Sequence, residues 1–247
     1  MKIAAIVAAR MGSSRLPDKV LRPILGIPIL ELIVKRLQGC RLLTEVVIAT
    51  SEHPRDAVII KFAQERGFPV GAGPEQDVLG RYYKVAQSRQ VDLIVRITGD
   101  CPLIDPEVTD SVIKRHLENE NADFTSNVVE RTFPRGFDTE VITFSCLKRL
   151  YEEAREEVYR EHVTNYLYDY PEKFLIQSVT SPVDHSSLRI CVDTEEDFQL
   201  VSKIYEALYR KNPHFGFNEI IQLVNDRPEL KKINAVVEQK RIFLRKS

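Results

Sequence analysis

The chain has 247 residues, 43% of them hydrophobic and 29% charged, and a formal net charge of −1. That length suits one α/β domain whose core needs no disulfide or metal, and the balanced charge excludes a global attraction to nucleic acid or anionic lipid. No apolar run approaches the roughly 18 residues that span a membrane, and the four cysteines lie far apart. These features predict a cytoplasmic protein with reduced thiols. We expect neither a membrane nor a nucleic acid as its partner.

Short apolar runs alternate with longer helical patterns over the first 120 residues. The apolar run at 3–8 predicts a strand that is buried on both faces. Further strands are predicted at 46–49, around 70 and at 93–97, and helices at 29–37, 54–66, 77–89 and 106–120. This alternation predicts a three-layer α/β/α fold around a mostly parallel, twisted, Rossmann-like sheet. In such sheets, ligands bind beyond the carboxyl ends of the strands.

The pattern changes after residue 120. Strands are predicted at 123–127, 137–143, 174–179 and 188–192, and helices at 147–157, 161–168, 195–209 and 217–224. From Lys231 onward the chain is polar and basic, which predicts a solvated or loosely docked end. The basic residues of this tail are Lys231, Lys232, Lys240, Arg241, Arg245 and Lys246.

The first predicted strand leads into a loop that crowds three cations, a glycine and two hydroxyls together. A triphosphate needs several cations and exposed backbone N–H groups around it, and glycine lets the backbone approach the phosphates closely. The loop lacks the Gly-Lys-Ser/Thr ending of a P-loop and the repeated glycines of a dinucleotide turn. Its place after the first strand still predicts a phosphate-binding loop. The residues concerned are Arg10, Gly12, Ser13, Ser14, Arg15 and Lys19.

Two aspartates follow other predicted strands. Asp100 comes just after the fourth strand, where a carboxylate can hold Mg²⁺ against triphosphate oxygens. Asp105 precedes Pro106 and is better explained as a helix cap. Asp193 ends a predicted strand before a long helix, so by itself it is either a cap, in competition with Thr194, or a metal ligand.

Six stretches together resemble the cytidylyltransferase family of CMP-sialate and CMP-KDO synthetases, in its spore coat polysaccharide biosynthesis protein F branch. The resemblance covers about residues 1–210, and its first stretch is the most specific. In that branch a glycine usually precedes the loop lysine, whereas this chain has Asp18. The six stretches are 8–19 (AARMGSSRLPDK), 77–83 (DVLGRYY), 96–105 (RITGDCPLID), 133–141 (FPRGFDTEV), 160–164 (REHVT) and 192–198 (VDTEEDF).

The resemblance implies a nucleotide-diphospho-sugar transferase fold that forms one domain over residues 1–247. It implies a nucleotide-binding half at 1–120, a sugar-binding and dimerisation half at 121–210, and C-terminal helices and tail at 211–247. It also implies a homodimer, with 123–180 as the place to look for the interface. CTP and a sugar, such as a keto-acid sugar of a surface polysaccharide, would be the substrates. CMP would pass to the sugar, pyrophosphate would leave, and Mg²⁺ would be the cofactor.

The resemblance assigns roles to individual residues. The residues expected to act in catalysis are Arg10, Arg15, Lys19 and Asp100, and those expected to hold the metal are Asp100 and Asp193. The residues expected to contact the nucleotide are Ala8, Ala9, Arg10, Gly12, Ser13, Ser14, Arg15, Lys19, Asp77, Arg81 and Thr98. The residues expected on the sugar side are Asp138, Glu140, Arg160 and His162.

Two other hypotheses remain open at this point. One is a sugar-1-phosphate nucleotidylyltransferase or a glycosyltransferase of the same fold, although such enzymes usually use an Asp-x-Asp pair and Asp100 stands alone. The other is a non-catalytic nucleotide-binding protein, which predicts no turnover with any sugar and no effect of Asp100→Asn. The sequence argues against a serine hydrolase, because it contains no Gly-x-Ser-x-Gly elbow.

Overall fold

The computed structural model describes residues 1–238 of the chain. Its centre is a seven-stranded sheet, and a two-stranded hairpin stands beside it. The strands of the large sheet are β1 (Ile3–Ala8), β4 (Glu45–Ser51), β5 (Val70–Gly73), β6 (Leu93–Thr98), β7 (Phe124–Ser126), β8 (Glu140–Thr143) and β9 (Ile176–Ser178). The hairpin consists of β2 (Pro23–Ile24) and β3 (Ile27–Pro28).

The order of strands in the large sheet is β5-β4-β1-β6-β8-β7-β9. Strand β1 pairs in parallel with β4 on one side and with β6 on the other. Strand β8 runs antiparallel to both of its neighbours, while the other pairs of the sheet are parallel. The prediction of a mostly parallel sheet is therefore confirmed, and the carboxyl ends of β1 and β6 lie side by side at one edge.

Helices cover both faces of the sheet. Side chains of β1 alternate between two hydrophobic clusters, since Ala5 and Val7 join one and Ala4 and Ile6 join the other. The first cluster packs α1 (Ile29–Leu37), α2 (Ala57–Glu65), α4 (Pro106–Leu117), α8 (Glu195–Leu208) and α9 (Phe217–Asp226). The second packs α3 (Val78–Ser88), α5 (Phe144–Glu153), α6 (Glu157–Glu161) and α7 (Asn165–Asp169). These layers confirm the predicted three-layer fold. Within residues 1–238, no helix has the length and apolar character needed to cross a membrane.

The structure corrects the prediction of a strand at 188–192. That segment forms only an isolated bridge between Arg135 and Arg189. Its backbone groups find partners in loops instead, because Ile190 N–H donates to Arg135 O at 2.8 Å and Val192 N–H donates to Asp100 O at 2.7 Å. The segment is thus held against the end of β6 without extending the sheet.

Two further boundaries differ from the prediction. The helix expected at 161–168 is divided into α6 and α7, and His162 lies at the break, where its φ and ψ of −109° and 74° leave the helical region. The strand expected at 137–143 begins only at Glu140. Before it, the side chain of Asn127 takes the place of a strand neighbour by bonding to Phe137 O at 2.8 Å and to Thr139 N–H at 2.9 Å.

The prediction of a solvated or loosely docked end from Lys231 holds for the exposed Lys231 and Lys232, but the described chain is anchored near them. Lys231 and Lys232 belong to a short 3₁₀ helix, Pro228–Lys232. Leu230 is buried, and the side chain of Asn234 is buried as well. The remaining basic residues of the predicted tail, Lys240, Arg241, Arg245 and Lys246, lie outside the described residues.

A buried histidine in α4 predicts a stability change with pH. His116 Nδ1 lies 2.9 Å from Thr125 Oγ1, and burial lowers the pKa of His116 from 6.5 to about 4. The folded protein therefore resists the proton that the unfolded chain accepts. The stability from the neutral ring is present above pH 6.5 and is lost as the pH falls toward 4, a loss of about 3 kcal/mol.

Urea unfolding measured between neutral pH and about pH 4 checks this expectation. The variant His116→Asn keeps a polar partner for Thr125 but cannot titrate, so its free energy of unfolding should fall less with acid. A matched change at the exposed His214, His214→Asn, should retain the slope of the original protein. Equal slopes in all three proteins would contradict the assignment to His116.

Candidate active site

A cavity of about 480 Å³ opens at the carboxyl ends of β1 and β6. The loop after β1, the end of β6, the start of α3, the end of α6 and the turn before α8 all contribute to its wall. The loop residues that line it are Ala8, Ala9, Arg10, Gly12, Ser13, Ser14, Arg15, Lys19 and Val20. The other lining residues are Val78, Arg81, Arg96, Thr98, Gly99, Asp100, Glu161, His162 and Asp193.

Lys19 joins the two aspartates across this cavity. Its Nζ lies 2.7 Å from Asp193 Oδ1 and 3.6 Å from Asp100 Oδ2. Its Nζ also donates to Val192 O at 2.8 Å. Burial by itself would lower the pKa of Lys19, but the charges of Asp100 and Asp193 outweigh it and raise that pKa. The ammonium is therefore permanently charged between two carboxylates.

Asp193 receives two further cations. Arg15 Nη2 lies 2.9 Å and Arg189 Nη2 lies 2.7 Å from its Oδ2. Burial disfavours the carboxylate, but Lys19, Arg189 and Arg15 outweigh that effect and lower the pKa of Asp193 to about 2. Thr194, and not Asp193, caps α8, because the Thr194 side chain accepts from Asp197 N–H. The carboxylate of Asp193 therefore faces the cavity as a permanent anion.

Asp100 is oriented by the end of its own strand. Thr98 Oγ1 donates to Asp100 Oδ1 at 2.6 Å. The next residue, Gly99, must be a glycine, because a Cβ there would lie 2.6 Å from Ala8 O. The predicted cap at Asp105 is confirmed: Asp105 accepts from Val108 N–H at 2.8 Å. Asp105, and not Asp100, therefore caps α4, and the second oxygen of Asp100 faces Lys19.

The donor set suits a divalent cation that is shared with a nucleotide. Asp100 and Asp193 offer hard carboxylate oxygens, the ligands that Mg²⁺ prefers. Among residues 1–238, no group of three or more histidine, cysteine, aspartate or glutamate side chains could hold a metal. Mg²⁺ commonly binds through one or two carboxylates together with substrate phosphates. The site therefore fits an ion whose remaining ligands come from a triphosphate and water.

A buried aspartate that sequence reasoning missed holds the backbone of the loop after β1. Asp56 is fully buried and accepts from Met11 N–H at 2.8 Å. Its other oxygen accepts from the hydroxyl of Ser51. A buried carboxylate held by such donors fixes the backbone of the loop. An aspartate within a predicted amphipathic helix gave no local signal for this role.

Asp18 occupies the position where the resembling branch has glycine. Its φ is 57°, in the left-handed region, and its side chain is exposed. Glycine reaches this region freely, and aspartate is among the few other residues that visit it routinely. The extra carboxylate thus points to solvent and not onto Lys19.

This backbone conformation makes a stability prediction. Asp18→Gly should leave the free energy of unfolding within about 0.5 kcal/mol of its original value, whereas Asp18→Val should lower it by about 1–2 kcal/mol. Urea denaturation of the two variants measures the difference. A valine variant as stable as the glycine variant would show that the left-handed conformation is not kept.

Of the residues near α3 that were predicted to contact the nucleotide, Arg81 lines the cavity and Asp77 does not. Arg81 is buried, and its Nη2 donates to Pro74 O at 3.0 Å and to Glu75 O at 2.9 Å. Burial lowers the pKa of Arg81. Asp77 caps α3 by accepting from Gly80 N–H at 2.7 Å. Arg81 therefore ties down the loop before α3 and also lines the cavity, while Asp77 lies behind the wall.

The four residues predicted on the sugar side do not form one group. His162 lines the cavity, and burial lowers its pKa. Arg160 pairs with Asp77. Asp138 accepts two hydrogen bonds from Arg131, at 2.7 and 2.8 Å. The structure thus brings His162 to the same cavity as the loop after β1 and gives Arg160 and Asp138 partners within the fold.

Glu140, the fourth residue predicted on the sugar side, begins β8 and is buried. It pairs with Arg96, which lies directly opposite in the strand register. It also accepts from Tyr168 Oη at 2.7 Å and from Thr164 Oγ1 at 3.3 Å. Its contacts are therefore with groups of the fold, and of these Arg96 lines the cavity.

Sequence reasoning assigned no role to three other charged residues at the site. Arg96 and Glu161 line the cavity, and Glu161 Oε1 lies 3.7 Å from Arg10 Nη2. Arg189 contacts Asp193 from the buried side. Both Arg96 and Glu161 fall within the motifs of the family resemblance, which was the available signal for them.

Comparisons with known proteins give matches over nearly the whole chain. The family model described as cytidylyltransferase matches residues 4–247. The chain is 32% identical over 234 residues to the spore coat polysaccharide biosynthesis protein SpsF of Bacillus subtilis, with 92% of this chain and 95% of that protein covered.

Two solved structures share the fold. A cytidylyltransferase from Leptospira borgpetersenii matches with a TM-score of 0.90 and 31% identity, over 99% of this chain and 100% of that one. A CMP:2-keto-3-deoxy-manno-octonic acid synthetase complexed with CTP matches with a TM-score of 0.66 and 16% identity, over 84% of this chain and 99% of that one, which is a likeness of fold.

Proposed function

The chain belongs to the cytidylyltransferase family, in the branch of the spore coat polysaccharide protein SpsF, and on that premise we propose that it transfers CMP from CTP to a keto-acid or related surface-polysaccharide sugar. The observation that carries the proposal is the meeting of Arg15, Lys19, Asp100 and Asp193 in one cavity. Its volume of about 480 Å³ falls within the range of small-molecule sites.

The cations of the loop bind and orient the triphosphate. Arg10 and Arg15 can fork onto phosphate oxygens, and Lys19 adds a compact positive charge. Lys19 and Arg15 already lie at the cavity wall beside Asp193. Because the loop backbone is braced by Asp56, these charges are pre-positioned for the negative charge that develops on the leaving pyrophosphate.

Asp100 and Asp193 would hold Mg²⁺, which supplies positive charge to neutralise the phosphate oxygens when it is bound. The chain prepares both carboxylates for this role. Thr98 orients Asp100 by a hydrogen bond. Asp193 stays ionised down to low pH because of its cationic neighbours. The attacking sugar hydroxyl then meets an α-phosphorus whose surroundings are already charged and ordered.

His162 is our candidate for accepting the proton of that hydroxyl. It lines the same cavity as Asp100 and Asp193. Burial and the nearby cations Arg96 and Arg10 lower its pKa, with Glu161 opposing. The ring is therefore neutral at pH 7 and can accept a proton.

Cytosine as the base is supported by the family membership and by the shared fold of a synthetase that was solved with CTP. We also propose a homodimer that uses the segment 123–180, where the exposed Val129 and Leu175 are found. Sedimentation of the purified protein would test the oligomeric state. A cytoplasmic location remains our prediction, in keeping with four free, buried cysteines.

The experiment is a screen of pyrophosphate release. CTP, UTP, GTP and ATP are each combined with keto-acid sugars and with sugar phosphates in the presence of Mg²⁺. We expect release with CTP and an acid sugar, and its loss in Asp100→Asn. Activity with only UTP or GTP would overturn the choice of cytosine. Turnover of sugar-1-phosphates would favour the first alternative enzyme class, and no turnover at all would favour a nucleotide-binding protein.

A further inference from the structure

A fully buried aspartate lies directly behind the cavity. Asp197 has no exposed surface. Its Oδ2 accepts from the backbone N–H groups of Asp193 at 3.0 Å and of Thr194 at 3.2 Å. It thereby holds the backbone of Asp193 at the point where the turn enters α8. A buried carboxylate persists only with such partners.

Arg189 connects this buried aspartate to the aspartate of the cavity. Its Nε donates to Asp197 Oδ1 at 3.0 Å, and its Nη2 donates to Asp197 Oδ2 at 3.0 Å. The same Nη2 donates to Asp193 Oδ2 at 2.7 Å. The planar guanidinium of Arg189 thus fixes the orientation of the Asp193 carboxylate relative to that of Asp197. A lysine, with its single nitrogen, could not reproduce this fork.

Arg189 and Arg15 both contact Asp193, but their side chains differ in exposure to solvent. The side chain of Arg15 is 31% exposed, whereas that of Arg189 is 9% exposed. Arg15 therefore faces the space that a triphosphate enters, while Arg189 belongs to the packed interior. When phosphate oxygens compete for Arg15 and Lys19, Arg189 remains the fixed partner of Asp193.

The C-terminal segment completes the network. Asn234 is buried, and its Nδ2 donates to Asp197 Oδ1 at 2.8 Å and to Arg189 O at 3.0 Å. It reaches the network from 37 residues beyond Asp197. One side-chain amide therefore holds both the carboxylate of Asp197 and the backbone that carries Arg189.

We propose that Arg189 and Asn234 are positioning residues which, through Asp197, hold the carboxylate of Asp193 in place for the metal and the triphosphate. This inference rests on the proposed function, because it takes Asp193 as a ligand of that metal. It makes the C-terminal segment a support of the active site. Removing a partner behind a metal ligand typically weakens metal binding about 10–100-fold.

Metal affinity tests the inference without turnover. Mn²⁺ is titrated into the full chain with CTP, and the free ion is followed by electron paramagnetic resonance. Arg189→Met should weaken Mn²⁺ binding about 10–100-fold, Arg189→Lys less, and Asn234→Leu about tenfold. The Mg²⁺ concentration that gives half-maximal pyrophosphate release should rise in the same order.

Two control variants separate positioning from general destabilisation. Asn225→Leu changes an exposed asparagine of the same region, and it should leave Mn²⁺ binding unchanged. Leu230→Ala removes a buried side chain beside the same segment and should lower stability while it leaves Mn²⁺ affinity unchanged. A Leu230→Ala effect as large as that of Asn234→Leu would overturn the inference.

The remaining outcomes also decide the question. Unchanged Mn²⁺ affinity in folded Arg189→Met and Asn234→Leu would overturn the inference. If Arg189→Met fails to fold, the Mn²⁺ affinities of Arg189→Lys and Asn234→Leu decide whether the inference stands. If no acceptor supports turnover but the variants still lose Mn²⁺ affinity with CTP, the proposed reaction fails and the positioning network stands. If the original protein binds no Mn²⁺ with CTP, both are overturned.

Discussion

Replacing Lys19 with methionine is expected to lower kcat/KM for pyrophosphate release about a thousandfold, as is typical of removing a preorganised charge from a transition state. The ammonium lies between Asp193 and Asp100, at 2.7 and 3.6 Å. Its side chain is only 12% exposed. Methionine keeps the volume but leaves two carboxylates facing each other, and the triphosphate loses a cation.

Steady-state rates at saturating Mg²⁺ measure this effect, and thermal unfolding verifies that the variant folds. Lys61→Met is the matched control, because Lys61 is 77% exposed and pairs with Glu65 at the protein surface. Its rate should equal that of the original protein. A Lys19→Met rate within about tenfold of the original would remove Lys19 from the proposed catalytic set.

Glu140→Gln is expected to lower the free energy of unfolding by about 2–3 kcal/mol, because it removes the carboxylate that neutralises Arg96 and accepts from Tyr168. Glu140 is 3% exposed and pairs with Arg96 across β6 and β8. Burial works against the charge of Arg96, but Glu140 outweighs burial and raises the pKa of Arg96. Without that carboxylate, the guanidinium stays charged at the wall of the cavity and lacks its ionised partner.

Thermal unfolding should show a drop of about 10 °C for a chain of this size. The exposed Glu152 provides the control, since Glu152→Gln should change stability by less than about 0.5 kcal/mol. The double variant Arg96→Met, Glu140→Met should regain much of the loss, because paired hydrophobic replacements avoid the unpaired charge.

This experiment also separates two roles for Glu140. The family resemblance implies a contact with the sugar, whereas the structure surrounds the carboxylate with Arg96, Tyr168 and Thr164. A stable Glu140→Gln variant with a raised KM for the sugar would favour the contact. A destabilised variant with an unchanged KM would favour the structural role.

Local sequence patterns predicted the bounds of an element correctly where one hydrophobic periodicity dominated. The run at 3–8 became β1, and the helix predicted at 29–37 has those bounds in the structure. The segment at 188–192 is also mostly apolar, apart from Arg189, yet it forms no strand, because its N–H groups bond to Arg135 O and Asp100 O in loops. Apolar periodicity reports burial, and burial alone does not choose the hydrogen-bond partner.

The sequence by itself determined the layered sheet and placed the cationic loop and Asp100 at one edge, because parallel strands bring their carboxyl ends together. Only the tertiary structure decided which groups Asp193 contacts: its partner Lys19 is 174 residues away, and Thr194 caps α8 in its place. The same holds for Asn234 and for Glu140. Such roles depend on which charged group lies opposite in three dimensions, and a buried carboxylate is stable only beside that partner.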